Sequence, residues 1–378
     1  MSEPYSKDDV DRFLAFLSEV KTDIQSNGEE YINALCAAFG MLKEEKPEDC
    51  LPSIKPTHRG KLAIIPCFHG EAENYVDALK MLLDPKSGRV SKSNPPDSLK
   101  NIIFRYRTAK GTISHYRSLG YKNPCISDYE EFFNRLKLKL PEDAILNYGF
   151  MECRPFIEEK VIDAVNNGAS KVIVVHTMIT VSSHTDEIES RVESLRLERY
   201  GIKVAFTEPL WNDRNFIQHE VDRVLEAAGD EDKDRVGFAY LEYGLPVTAL
   251  SSGKLSTYNL ETSKRFAQAY LSKLEENGLK NTTRGYLRFM KPGIPECAKI
   301  LAEKGARLII FNWFHIVRNI YSIIDIPKYF EDIKPSLPDG TRLMLLEPEK
   351  ESSSFMDVLV KQIEKAMKFD KNAGRRVG

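Results

Sequence analysis

Gly168-Ala169, the apolar run Val172-Ile173-Val174-Val175 and Glu208-Pro209 recur later in the chain as Gly305-Ala306, Leu308-Ile309-Ile310-Phe311 and Glu347-Pro348. From Gly168 to Glu208 is 40 residues and from Gly305 to Glu347 is 42, so the register holds. A Phe-Met pair, a proline and an amphipathic run precede each series: Phe150-Met151 and Pro155 in the first, Phe289-Met290 and Pro292 in the second. Self-similarity on this scale marks two copies of one supersecondary unit. Strands alternate with helical patterns in both copies. The expected fold is therefore α/β: two similar doubly wound domains with parallel sheets, related by a pseudo-twofold. Ligands of such pairs lie in the cleft between the copies, at the carboxyl ends of the strands.

Working outward from the repeat divides the rest of the chain. Residues 1–58 read as a helical N-terminal extension, with one stripe on Phe13, Phe16, Leu17 and Val20 and another on Tyr31, Leu35, Phe39 and Leu42. Lys46 to Thr57 carries three prolines and reads as a linker. The first copy occupies 59–229, opens with a strand from Leu62 to Pro66 and runs into Cys67-Phe68-His69-Gly70. The second occupies 230–368, opens with Val236 to Tyr240 and reaches Tyr243-Gly244. His69 to Gly168 is 99 residues against 62 from Tyr243 to Gly305, so the first copy carries about 37 extra residues. They fall within 84–141, a Ser-, Pro- and Lys-rich stretch that reads as an irregular lip. Residues 369–378 are a basic tail.

Composition removes several classes. The 54 basic and 56 acidic residues give a net charge of −2 with no basic stripe, which argues against nucleic acid. No apolar run approaches a membrane span, and the N-terminus lacks a signal peptide, so a cytoplasmic protein is expected. Six cysteines without a Cys-x-x-Cys read as reduced thiols rather than an iron–sulfur site.

The chemistry is read where the strands end. The first copy offers His69 after its first strand, and Ser182, Ser183, His184 and Glu187 after a later one. The second offers Tyr243 and, near the equivalent place, Tyr321. Two imidazoles at strand ends suit a borderline divalent metal such as Fe²⁺, Co²⁺ or Ni²⁺. His184 and Glu187 are three residues apart, which on a helix puts a carboxylate base beside an imidazole. His176 and His315 read as structural, and His58 and His219 as surface residues. Cys67 is either a metal contact or simply buried.

Several short segments resemble the class II tetrapyrrole chelatases, closest to the ferrochelatases. They are Arg154-Pro155-Phe156-Ile157-Glu158-Glu159, the run from Trp211 to Val224, His115 to Tyr121 with Pro124, and Tyr243-Gly244-Leu245-Pro246. The resemblance covers roughly residues 60 to 368. It implies a lyase of haem biosynthesis that inserts a divalent metal, Fe²⁺ first, into a porphyrin. Metal and tetrapyrrole are then the substrates, with no tightly bound cofactor. The pattern also departs from that family. Tyr243 stands where ferrochelatases place their catalytic histidine, and their partner glutamate falls near Ile320. His69 and His184 instead resemble the histidine pair of the short sirohydrochlorin cobalt and nickel chelatases.

On this reading His69 and His184 hold the metal and act with Glu187 in catalysis. Tyr116 and Tyr121 of the lip, with Glu242, Tyr243 and Tyr321, contact the macrocycle. The N-terminal helices are a candidate homodimer contact. Two alternatives stand beside it: a sirohydrochlorin chelatase, and a non-catalytic relative that binds haem or another tetrapyrrole. A bilobal binding protein of the periplasmic type fits less well, because both histidines fall in one half.

Overall fold

The computed structural model describes residues 7–42, 51–83, 99–244 and 257–368. Leu245, Pro246, residues 84–98, the start of the proline-containing linker and the basic tail lie outside them. The chain divides into two compact units, one made of Met1–Cys50 with Gly70–Ile126 and the other of Leu51–His69 with Ser127–Gly378.

The smaller unit is helical. It contains α1 (Lys7–Asn27), α2 (Glu29–Ala38), α3 (Tyr75–Leu83) and α4 (Leu99–Ser118). Two amphipathic helices cannot bury each other's apolar faces completely, and α4 supplies the missing wall. Phe16, Val20, Tyr31, Ala34 and Ala38 form one core with Leu79, Tyr106 and Ile113. The division at residue 58 therefore differs from the observed one, because the N-terminal helices share a core with part of the insertion. The stretch expected to be irregular is helical over α4 and again over α5 (Ile126–Lys137), which belongs to the larger unit. Of the expected stripes Leu17 and Phe39 are exposed instead; Phe39 is the C-cap of α2, and the buried positions of that helix are Tyr31, Ala34, Ala37 and Ala38.

The larger unit holds both copies. In the first, β1 (Lys61–Phe68), β2 (Ile145–Leu146), β3 (Gly149–Phe150), β4 (Ala169–His176) and β5 (Lys203–Phe206) form a parallel sheet. Its order is β2-β1-β4-β5, with β3 also on β1. Helices α6 (Ile157–Asn166), α7 (Ser183–Ser194) and α8 (Arg214–Ala228) follow the strands. The second copy has β6 (Val236–Glu242), α9 (Thr257–Glu276), β7 (Asn281–Tyr286), α10 (Ile294–Glu303), β8 (Leu308–Trp313), α11 (Ile326–Ile333), β9 (Arg342–Leu345) and α12 (Ser353–Lys368). Its sheet, β7-β6-β8-β9, is also parallel. Val172, Ile173, Val174 and Val175 are all 0% exposed, as expected of a central strand covered on both faces. Each such side chain contributes about 1.5–3 kcal/mol by burial.

Backbone bonds fix the internal equivalence residue by residue. Met151 N donates to Phe68 O and Glu152 N to His69 O, as Leu287 N donates to Glu242 O and Arg288 N to Tyr243 O. Phe150 N and Tyr286 N donate to the carbonyls of Pro155 and Pro292. Phe150-Met151 therefore corresponds to Tyr286-Leu287, which corrects the pairing with Phe289-Met290. The second turn is one residue longer, and Phe289 takes up the extra length at φ 65°.

The long helices at the ends of the copies are exchanged. Helix α8 of the first copy packs on β8, while α12 of the second packs on β4 and β5. A charged cluster fixes α5 to the second copy: Arg318 grips buried Asp128 through Nε at 2.7 Å and Nη2 at 2.8 Å, and Lys350 reaches the same carboxylate at 3.0 Å.

Candidate metal-handling site and its counterpart

In each sheet the chain leaves the first strand for one neighbour and later returns on its other side. The β1/β4 and β6/β8 carboxyl ends are thus topological switch points, where α/β folds place ligands. His69 follows β1 directly and is succeeded by Gly70 at φ 87°; Tyr243 follows β6 and is succeeded by Gly244 at φ 88°. A Cβ on Gly244 would meet the Arg288 carbonyl oxygen at 2.0 Å, so this turn requires glycine.

His184 is placed by a helix start. Ser182 caps α7, its Oγ accepting from His184 N at 3.2 Å, while Ser182 N donates to Thr185 Oγ1 at 2.9 Å. In the second copy Asn319 N donates to Ser322 Oγ at 3.0 Å in the same arrangement. The residue before Thr185 is His184 and the residue before Ser322 is Tyr321, so these two are equivalent. Tyr321 opens a π-helical turn, Tyr321–Asp325, that leads into α11.

The two histidines meet. Their ring centroids are 5.3 Å apart at an interplanar angle of 86°. Sequence reading missed a third member, Glu152, whose Oε1 lies 3.9 Å from His69 Nε2. The only signal for it was its place just past β3, which the wrong Phe-Met pairing concealed. Two imidazoles and a carboxylate form a hard-to-borderline donor set for a divalent transition metal. Glu187 shares a helix with His184; its side chain is 54% exposed, and partial desolvation pushes its pKa upward while the Arg191 charge pulls it down.

Arg191 of α7 braces this set. It donates through Nε and Nη2 to the two oxygens of buried Glu158 at 2.6 and 2.7 Å, and through Nη1 to Met151 O at 2.6 Å. Glu187 lies 3.8 Å from the same guanidinium. One side chain thus ties the helix bearing His184 and Glu187 to the turn bearing Glu152. Cys67 is 0% exposed, and burial holds it as a thiol, so it packs rather than ligates.

The equivalent positions of the second copy carry different groups. Tyr243 and Tyr321 also meet edge to face, centroids 5.6 Å apart, with hydroxyls 3.2 Å from each other. Arg288 stands where Glu152 does. Glu242 is committed to Arg284, at 3.1 and 2.6 Å, and to Ser263 Oγ at 2.7 Å. In the smaller unit Tyr116 is 1% exposed and its hydroxyl donates to Ala72 O at 2.6 Å, making it a core residue there. Tyr121 is exposed at φ 70°, with its ring beside Tyr75.

The histidines expected to be structural sit in or beside strands. His176 is 1% exposed with Nε2 3.3 Å from Glu189, and Nδ1 of His315 donates to Trp313 O. His58 is exposed. His219 is not a surface residue: it is 7% exposed, with Nε2 3.0 Å from Glu349 and Nδ1 3.0 Å from Ser354 Oγ. It forms a buried cluster with Glu220 and Glu349. Arg223 Nη1 already lies against both carboxyl groups, and Asn312 donates to Glu220 at 2.6 Å. The guanidinium supplies the cation there, which makes the cluster a structural clasp. Burial, then the neighbouring Glu349 charge, pushes Glu220 up to about 8, and burial lowers His219.

Among the described residues, no helix is long and apolar enough to cross a membrane. A ferrochelatase of Wolinella succinogenes is 23% identical over 217 residues, 55% of this chain and 67% of that protein. A sirohydrochlorin cobaltochelatase of Sulfurisphaera tokodaii is 30% identical over 84 residues, 22% of this chain and 66% of that protein. The solved structure of SirB from Bacillus subtilis with Fe³⁺ shares the fold, with a TM-score of 0.52 at 14% identity over 81% of this chain and 95% of that one. The family model named Ferrochelatase matches residues 79–313, well over half of the chain, from the middle of α3 to the last residue of β8, and the chain belongs to the ferrochelatase family.

Proposed function

We propose that this protein is a metal chelatase that inserts a divalent cation, Fe²⁺ first, into a tetrapyrrole. The observation that carries the reading is the His69–His184 pair with Glu152 at the β1/β4 switch point. Insertion consumes a dication and a free-base macrocycle and yields the metal complex and two protons. Pyrrole N–H groups are very weak acids, so their protons must leave as the metal arrives. Neutral imidazoles of His69 and His184 hold the cation and release it to the ring nitrogens. Glu187, on the same helix as His184 and open to solvent, accepts protons and passes them to water. General-base assistance of this kind is worth about 10²–10⁴-fold. Arg191 keeps the acceptors in place, so little reorganisation accompanies transfer.

The ferrochelatase family favours a porphyrin as the ring. A second reading, sirohydrochlorin, is favoured by the placement of both histidines in the first copy. Buried reduced thiols and ferrous iron both suit a reducing cytoplasm.

The test mixes metal-free protein anaerobically with Fe²⁺ or Co²⁺ and offers protoporphyrin, coproporphyrin and sirohydrochlorin in parallel. Multiple-turnover loss of the free-base absorption bands with one ring is expected, and names the substrate. Saturation at one equivalent with no metal entering any ring would overturn catalysis and leave a binding protein.

A further inference from the structure

The second copy has kept the scaffold of the metal-handling site and put a guanidinium, paired with Asp325, where the first has a carboxylate. Glu152 and Arg288 occupy one backbone position, each donating its N–H to the residue that follows the first strand, at 3.0 and 2.9 Å. Where the first copy gathers two imidazoles and a carboxylate, the second gathers two phenols and a guanidinium. Phenol hydroxyls and a guanidinium are hydrogen-bond donors, and a fixed positive charge repels a metal dication. The set is therefore built to meet an anion.

Its geometry is defined. Arg288 lies over the Tyr321 ring, 5.2 Å from the centroid, and its Nη2 donates to Asp325 Oδ2 at 3.0 Å. The Arg288 side chain is 41% exposed and that of Asp325 only 13%, so Asp325 orients the guanidinium from the protein side. Trp313 and Phe289 complete an aromatic surround, with centroids 6.4 and 5.8 Å from Tyr243. Tyr243 is 40% exposed and Phe289 56%. A flat ligand bearing a carboxylate matches both features: the aromatic rings face its plane and the guanidinium pairs with its acid group.

We propose that Arg288, with Tyr243 and Tyr321, binds a carboxylate side chain of the macrocycle, so that one copy handles the metal and the other handles the acid periphery of the ring. This rests on the tetrapyrrole reading above. Arg288 is here a specificity-determining residue for substrates with free acid groups.

The test needs no metal and no turnover. Binding of coproporphyrin and of sirohydrochlorin to the full-length protein is followed by fluorescence, each against its own carboxamide. The native protein is expected to bind the acid form of its ring about 10–100-fold more tightly than the amide, the range of one charge-assisted pair. Arg288→Gln should remove that preference, and Arg288→Lys should restore part of it. An acid preference that persists undiminished in a folded Arg288→Gln protein sinks the proposal, and so does equal binding of acid and amide by the native protein. In both cases the chelatase reading survives, because the ring still binds. Failure of the native protein to bind either ring would overturn both.

Discussion

The two switch points are built alike and filled differently, and the contrast separates what the scaffold fixes from what the side chains decide. The backbone bond after the first strand, the positive-φ glycine and the Ser182/Thr185 and Asn319/Ser322 starts occur at both. These hold two facing rings edge to face, at 5.3 Å in one copy and 5.6 Å in the other. On that frame the first copy sets two histidines beside Glu152, the proposed cation site, and the second sets two tyrosines beside the backbone position of Arg288, the proposed anion site. On those proposals a duplicated unit divides one task between its copies with only local changes of backbone, the longer turn at Phe289 and the π-helical turn at Tyr321.

The sharpest way to break this contrast is to remove an imidazole. His69→Ala or His184→Ala should lower metal insertion by about 10²–10⁴-fold in steady-state assays while the circular dichroism spectrum stays native. Insertion at the native rate in either folded variant would place the chemistry elsewhere. Next in size is the brace. Arg191→Met leaves buried Glu158 without its partner and should cost about 3–5 kcal/mol in denaturant unfolding. The double change with Glu158→Met should recover much of that, and no recovery would mean that the pair acts through something other than charge.

Glu152→Gln should weaken Co²⁺ binding, read from d–d absorption, by about 10–100-fold, as expected for loss of a group that holds or orients the ion. The clasp predicts a pH effect on stability rather than on activity. Glu220 titrates near 8 when folded and near the usual 4.5 when unfolded, so the folded state retains a proton that the unfolded state has lost. The contribution of Glu220 to stability is then fully present below about 4.5 and is lost as pH rises through about 8. Glu220→Gln should flatten that decline in thermal melts, and an unchanged slope would assign it to other groups. The smallest effect expected is Tyr243→Phe, which removes one donor and should raise KM for the macrocycle by roughly threefold to tenfold with kcat kept.

The repeat was legible because its strands are apolar and begin just after glycines: Gly168 and Gly305 lead into runs whose burial allows few alternatives. His69, His184 and the Tyr243/Tyr321 match could be found because they follow those strands at short distance. Glu152 could not, because Phe289-Met290 imitates Phe150-Met151 across a turn that is one residue longer. The backbone bonds show the true alignment, those from Phe150 and Tyr286 to the two prolines and those from Glu152 and Arg288 to the residues after the first strands. The burial of His219 was hidden for a related reason. Its partner Glu349 lies 130 residues away, beyond the reach of any local pattern. The helical character of α4 was obscured by polar neighbours, and its apolar face became meaningful only opposite α1 and α2.

The exchange of α8 and α12 between the sheets has a consequence for anyone wishing to cut the protein. Divided after residue 229, each fragment would keep a helix that packs on the other sheet and lose the one that the other copy lays on its own. The copies are interlocked like a folded pair of hands, and neither is a removable module. Separately expressed pieces should be insoluble alone and recover structure only on being mixed. A duplication arranged in this way can diverge in its side chains, but it cannot shed either half.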